Sequence, residues 1–272
     1  VTFHNDWWFH RFLVETEWVF GWVQSSKVGW VQARDASRLK DRDMLAVTRD
    51  HTPMILPSGR VRFGRIGALF PLLPGQGDQA HVLLPVSEGD GGACFVSATL
   101  SRGAGKAFPV AMTRGHVAQV AAEFMGQMYG WGGLHARRDC SSSMRDLFTP
   151  FGLWLPRNSS QQAQAGRVTM LAGLPGEEKQ GIILDQGIPF ATLVCKPGHV
   201  MLYIGRQGQQ AVIWHSLWGL KTRGWFTGEG RHVVGRTVIT TLRPGAELAN
   251  LARPEGLLLH GIQGLVLLTR ED

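Results

Sequence analysis

From residue 1 to about 105 the apolar positions fall in short runs cut by turn residues, with no helical period sustained for three turns. This pattern predicts small β-barrels. Gly21-Trp22-Val23-Gln24 and Gly29-Trp30-Val31-Gln32 read as paired strands meeting at a Ser25-Ser26 turn. A second set runs Met54 to Leu56, Val61 to Ile66, Ala68 to Leu73, Val82 to Val86 and Cys94 to Leu100. It is broken by Pro57-Ser58-Gly59, Pro74-Gly75 and Gly89-Asp90-Gly91-Gly92, the spacing of a five-stranded barrel. Two barrels are expected, residues 1–48, lacking its beginning, and 49–105; one larger β domain is the alternative. The chain opens at Val1 in strand-like sequence, and an upstream piece is expected to have been removed.

The period changes after Gly103-Ala104-Gly105. Thr113 reads as an N-cap, and Val117, Val120, Ala121, Phe124 and Met128 keep the i, i+3, i+4 spacing of a buried helix face, predicting four turns that end at Tyr129-Gly130. A second helix begins at Asp139-Cys140-Ser141, buries Met144, Leu147, Phe148 and Phe151, and stops at Pro150 and Gly152. Strands return from Phe190. Residues 106–272 are therefore expected to form an α+β domain, helices first and an antiparallel sheet after.

Composition narrows the function only by exclusion. The 272 residues are 44% hydrophobic and 18% charged, enough for a core and more than one domain. Gly67 to Leu73 and Pro189 to Cys195 fall short of the roughly 20 apolar residues of a bilayer-crossing helix. A formal charge of +7 suits anionic surroundings such as nucleic acid, phospholipid or cell wall. Cys94, Cys140 and Cys195 permit one disulfide at most and lack the spacing of a zinc site.

Cys140 stands out chemically because it opens a helix, behind an Asp and ahead of three serines. Unpaired N–H groups and the positive end of the helix dipole favour a thiolate there and can hold an oxyanion. Cys94 and Cys195, inside apolar runs, read as small buried hydrophobes. A nucleophile needs a base, and His199 and His215 flank a predicted hairpin. A three-residue loop of Arg206, Gln207 and Gly208 would pair 199 with 215, with β-carbons about 5 Å apart. Val200, Leu202, Ile204, Val212 and Trp214 would then share the opposite face.

These residues carry a resemblance. Tyr129-Gly130-Trp131-Gly132-Gly133, Asp139-Cys140-Ser141, Leu155-Pro156-Arg157 with Ser159 and Gln162, and Gly198-His199-Val200 before Tyr203-Ile204-Gly205 resemble, in order and spacing, the NlpC/P60 cysteine peptidases of bacterial cell-wall peptides. The β modules resemble bacterial SH3 domains, and the domain order resembles the dipeptidyl-peptidase VI branch of γ-D-glutamyl-L-diamino acid endopeptidases. The resemblance implies a papain-like domain in which Cys140 is the nucleophile, His199 the base and His215 its orienting partner. It further implies that Tyr129 and the Cys140 N–H hold the oxyanion, and that Asp139 and Ser141 hold a substrate's free L-alanine amine, with Trp131 as a possible contact. No metal or cofactor is implied. The first SH3-like domain would close the pocket, and Trp7, Trp8, Trp18, Phe20 and Trp22 could supply the bulk.

Plainer roles stand beside these. Asp139 can simply cap its helix, Tyr129 and Trp131 can be core aromatics, and Arg157 reads as a structural ion-pair partner. Two positions depart from the family: Ser142 where glycine is usual, and Met201 where a small residue often stands, which would narrow the pocket beside the base. The expected partners are stem peptides of the L-Ala-γ-D-Glu-diamino acid type and an anionic envelope, not nucleic acid, with the protein monomeric. The expected location is periplasmic or extracellular, with cytoplasmic recycling of murein peptides as alternative. The rival readings are a papain-like acyltransferase or amidase on lipid or amide substrates, and a wall-binding protein with an inactive catalytic domain.

Overall fold

The structure, a computed structural model, describes residues 3–268 apart from 7–9, 16–19, 38, 40–41, 76, 90, 225–227 and 255. The chain divides into two units, Val1–Ala111 with Phe148–Trp154, and Met112–Leu147 with Leu155–Asp272. In the first, β1 (Phe3–Asp6), β2 (Arg11–Glu15) and β3 (Phe20–Gln24) form an antiparallel meander, and α1 (Ala33–Ser37) follows. The two Gly-Trp-Val-Gln stretches do not pair with one another as expected. Trp22 lies opposite Leu13 of β2, whereas Trp30 makes an isolated parallel bridge to Gly92. The intervening Ser25–Lys27 forms a 3-10 turn, which leads the chain away instead of folding it back into register. Trp7, Trp8 and Trp18 lie outside the described residues, and Trp22 is half exposed.

The rest of this unit is one seven-stranded sheet. It comprises β4 (Met44–Val47), β5 (Thr52–Ile55), β6 (Val61–Gly64), β7 (Leu69–Leu73), β8 (Gln79–Ser87), β9 (Ala93–Ser101) and β10 (Gly105–Ala107), in the order β10-β4-β7-β8-β9-β5-β6. Along β8 the burial alternates, with Ala80, Val82 and Leu84 inside, and they share a core with Leu45, Val47, Met54, Ala98 and Leu100. The expected closed barrels are not observed: among the described residues the end strands β10 and β6 do not pair, and the residue-48 boundary falls between two strands of this sheet.

The second unit opens with α2 (Arg114–Ala122), whose cap Thr113 accepts the His116 N–H at 3.2 Å. This helix is shorter than its apolar period predicts. After Ala122 the backbone turns at Gly126 (φ 75°), and the N–H groups of Gly126 and Tyr129 donate to the carbonyls of Thr237 and Gly235. Sheet-edge acceptors thus replace the last helical turns, and Met128 is exposed. Then come α3 (Cys140–Phe148), α4 (Ser159–Gln162), β11 (Arg167–Met170), α5 (Gly176–Gln186), β12 (Thr192–Lys196), β13 (His199–Gln207), β14 (Gln210–Thr222), β15 (Gly230–Thr241), α6 (Leu258–Gly261) and β16 (Gly264–Leu267).

The six strands form an antiparallel sheet ordered β11-β16-β12-β13-β14-β15. On one side Met201, Tyr203 and Ile213 share a core with Ile183 of α5 and Leu258 and Leu259 of α6. Trp214, of opposite parity, meets Phe124 edge-on at 5.5 Å and donates its indole N–H to Ala121 at 3.2 Å. Both faces are therefore buried.

The β13–β14 register differs from the expected one. Gln207 pairs with Gln210 across a two-residue turn, with Gly208 at φ 60° as a II′ hairpin requires. That turn alone would set His199 and His215 on opposite faces. A bulge between Tyr203 and Gly205 inserts one residue, giving Tyr203 opposite Ile213 and Leu202 opposite Trp214. Parity is restored, and the histidines share a face as diagonal neighbours rather than direct partners. Gly205 holds the bulge at φ 139°, a conformation that side-chain-bearing residues rarely adopt, although a Cβ there would meet nothing within 4 Å. Gly205→Val is therefore expected to lower the unfolding free energy by about 1–3 kcal/mol, entirely through backbone strain. Urea titration checks this; an unchanged midpoint would show that the bulge does not need glycine.

Candidate active site

The N-terminus of α3 is built around Asp139. Its Oδ1 accepts the Ser142 N–H at 2.9 Å, and the Asp139 N–H donates to Ser142 Oγ at 2.9 Å, a reciprocal cap. Ser142, standing where glycine is usual, thus completes the helix start. Arg157 reaches the same carboxylate with both terminal nitrogens, at 3.1 and 2.7 Å, and donates to Ser141 Oγ at 3.0 Å. The loop carrying Arg157 is held in turn by Gln162, whose amide donates to the carbonyls of Ser141 and Pro156 at 2.8 and 2.7 Å. Burial pushes the Asp139 pKa up, but Arg157 and Ser142 outweigh it and hold the carboxyl below its ordinary value. Ser143 pins the helix from beneath. It donates to the Asp139 carbonyl at 2.8 Å, so it accepts from Ser216 at 2.6 Å, which accepts from Thr237 at 2.7 Å.

Cys140 is buried at the mouth of this helix. Burial raises its thiol pKa above the ordinary value, opposed by the Val200 and Ser141 N–H groups and the Tyr129 hydroxyl, with the Asp139 charge adding to the rise. Burial thus works against the lowering that a helix start favours at this thiol. Burial also raises the Tyr129 phenol, which accepts the Cys140 N–H and contacts the thiol. Tyr129, Trp131 and Trp218 pack mutually, with ring centroids 5.2 to 5.8 Å apart, and Trp131 is 59% exposed. Trp131 is thus a rim residue, not a core one. Met201 is fully buried in the sheet core.

His199 Nε2 and His215 Nδ1 are 2.9 Å apart, and His215 Nε2 is 3.1 Å from Thr240 Oγ1. Proton counting fixes the tautomers. Thr240 donates its only hydroxyl proton to the Thr241 carbonyl at 2.8 Å, so it accepts from His215 Nε2–H. His215 Nδ1 is then bare and accepts from His199 Nε2–H, which leaves His199 Nδ1 as an unprotonated acceptor. Val200, directly after His199, directs its N–H at the Cys140 thiol, so the thiol adjoins the strand that carries His199. Such a set can move a proton from sulfur to imidazole while two donors, the Cys140 N–H and the Tyr129 hydroxyl, meet an oxyanion.

Sequence reasoning missed Thr240, Trp218 and Lys196. Thr240 reaches His215 only through the β14–β15 pairing, in which Ile213 faces it. Lys196 is the β12 partner of His199, and its charge, after burial, depresses the His199 pKa. Cys195 and Cys94 take no part in this set; burial pushes Cys195 up to about 12.

Part of this stretch of chain matches a known family. Residues 126–223 match the NlpC/P60 family. Of the residues described above, Thr237, Thr240 and Thr241 lie outside the matched segment. Among solved structures, an NlpC/P60 endopeptidase from Photobacterium damselae subsp. piscicida superposes with a TM-score of 0.81 at 24% identity over 95% of this chain. The chain spans 60% of that protein's length. An NlpC/P60 family protein from Bacillus cereus gives 0.62 at 15% identity, covering 94% of this chain and 74% of its own. The shared fold therefore extends beyond the matched segment into the β-rich unit. No curated protein matches the chain.

Two outcomes test this geometry. Thr240→Val removes the acceptor that fixes the tautomers and is expected to lower kcat at least about tenfold, with Thr240→Ser restoring it; equal rates for the two variants would show that the chain of hydrogen bonds does not orient His199. Burial, followed by the Lys196 charge, lowers the His199 pKa to about 3, and burial, followed by His199, holds His215 well below its ordinary value. The unfolded chain takes up these protons near pH 6.5 and the folded one does not, so their stabilising contribution is full above 6.5 and is lost as pH falls toward 3. Chemical denaturation at pH 7, 6, 5 and 4 should show stability dropping by up to about 1.4 kcal/mol per pH unit for each histidine. His215→Gln should flatten that slope, and a slope unaffected by the substitution would assign the loss elsewhere.

Proposed function

We propose that this chain is a cysteine peptidase of cell-wall peptides that cleaves the bond between γ-D-glutamate and a diamino acid. The observation that carries the reading is the hydrogen-bond series from Thr240 through His215 to His199, which leaves Nδ1 of His199 free to accept a proton, on the strand whose Val200 N–H meets a thiol at a helix N-terminus. Cys140 attacks the γ-carbonyl as His199 takes the thiol proton, and the oxyanion rests on the Cys140 N–H and Tyr129. His199 then protonates the leaving amine, water repeats the cycle on the thioester, and both residues return to their neutral forms. Starting from a neutral pair suits this order, since no ion pair must be dismantled before attack.

In this reading Asp139 and Ser141 bind the free amine of an N-terminal L-alanine, and Trp131 borders the entrance. The β-rich unit faces the anionic wall, and the +7 charge favours work in the cell envelope as a monomer. A second reading is favoured by the contacts of Asp139. Its two oxygens already take hydrogen bonds from Arg157, Ser141, Ser142 and Gly132, so an ammonium must displace one of them. If none yields, Asp139 serves only the helix, and peptides still attached to glycan are substrates too.

The test is incubation with L-Ala-γ-D-Glu-diaminopimelate and its N-acetyl form, products being identified by mass. The expected result is release of L-Ala-D-Glu from the free-amine peptide only, and none by Cys140→Ala with its fold intact. Equal cleavage of both peptides would establish the second reading; turnover by Cys140→Ala would end the thiol mechanism.

A further inference from the structure

A cleft of about 390 Å³ is lined by Lys196, the cross-strand partner of His199, together with Lys179, Pro197, His260, Ile262 and Gln263. Its charge is one-sided. Lys179 is only 4% exposed and donates to the carbonyls of His260 and Ile262 at 2.9 and 2.7 Å, which leaves one of its three N–H groups uncommitted. Among the described residues Lys196 Nζ makes one weak hydrogen bond, to the Pro197 carbonyl at 3.5 Å. Its stem lies over Gly261, where a Cβ would come within 2.7 Å of Cε, so the glycine makes room for the lysine in the cleft. Arg231 adds its charge nearby. Among the described residues no carboxylate pairs with Lys179, Lys196 or Arg231. An ammonium group withdrawn from water without a counter-charge, as at Lys179, is costly, and an incoming anion relieves that cost.

The position of the cleft gives the anion its place in the reaction. Lys196 is the cross-strand partner of His199, joined to it through the Pro197-Gly198 turn. The imidazole that takes the thiol proton must later pass it to the leaving nitrogen, so groups flanking His199 border the leaving half of the substrate. In the proposed substrates that half is a diamino acid. Diaminopimelate ends in a second carboxylate, and lysine does not.

Resting on the peptidase reading above, we propose that the Lys179–Lys196 cleft binds a substrate carboxylate on the leaving side, and that this contact selects diaminopimelate over lysine as the third residue. A guanidinium or ammonium against a carboxylate in a partly dry cleft discriminates through the substrate that lacks it, which leaves the cations bare.

The experiment compares kcat/KM for four free-amine tripeptides. The third residue is meso-diaminopimelate, diaminopimelate amidated at its distal carboxyl, or L-lysine; the fourth peptide keeps diaminopimelate but amidates the α-carboxyl of D-glutamate. The wild-type chain is expected to favour diaminopimelate over its amide and over lysine by roughly tenfold or more. Lys196→Gln should reduce that preference to near unity, and Lys179→Met should act in the same direction if it folds. Three results overturn the assignment: no wild-type preference, a Lys196→Gln loss equal on all four peptides, or a loss that follows the glutamate carboxylate instead. Calorimetry of folded Cys140→Ala with free meso-diaminopimelate and with lysine reads the cleft without turnover. Binding of diaminopimelate that weakens in Cys140→Ala/Lys196→Gln supports the cleft even if no peptide is cleaved, and absence of binding rejects it even if peptides are.

Discussion

The hydrogen bond between His199 and His215 depends on one inserted residue. A two-residue turn after Gln207 would place the histidines on opposite faces of the sheet, and the bulge ending at Gly205 reverses that. From this follow the 2.9 Å contact, the reach of His215 to Thr240, and the tautomer that leaves His199 Nδ1 bare. A backbone irregularity thus decides the chemistry of a side chain eight positions from the hairpin turn.

The second dependency is electrostatic. Cys140 and both histidines are buried, and burial holds all three toward their neutral forms. The charges around them are arranged otherwise: Asp139 is kept ionised by Arg157 and spent on the helix start, while Lys196 stands beside His199 without a carboxylate partner among the described residues. The Lys196 charge beside a buried His199 adds to the cost of a cationic imidazole there. The low His199 pKa has burial as its first cause and the Lys196 charge as its second.

Much of the peptidase-like unit was legible. The Thr113 cap, the start of α3 at Cys140 and its stop near Gly152 each follow from local backbone needs: an orphan N–H, a capping carboxylate, a left-handed glycine. Tyr129, Asp139, Cys140 and Ser141 meet at the start of α3, His199 and His215 meet on the sheet, and Trp131 packs on Tyr129 while remaining largely exposed. The strands of residues 52–101 were near their observed places because alternating burial is a local pattern. Closed barrels were not, because closure depends on which edges find each other, and the apolar alternation of a strand is the same in an open sheet and a barrel.

The sequence by itself determined which residues are chemically capable and which local segments hold them, since capping groups, turn glycines and apolar periods act within a few positions. Only the tertiary structure decided the hairpin register, the early end of α2, the tautomers and the neutral thiol. A sheet buried on both faces carries apolar residues at both parities, so its pattern could not fix the register. Helix length was settled by acceptors on β15, more than 100 residues away. Desolvation, the first cause of the raised Cys140 pKa, depends on the elements packed around the thiol, which a local pattern does not show.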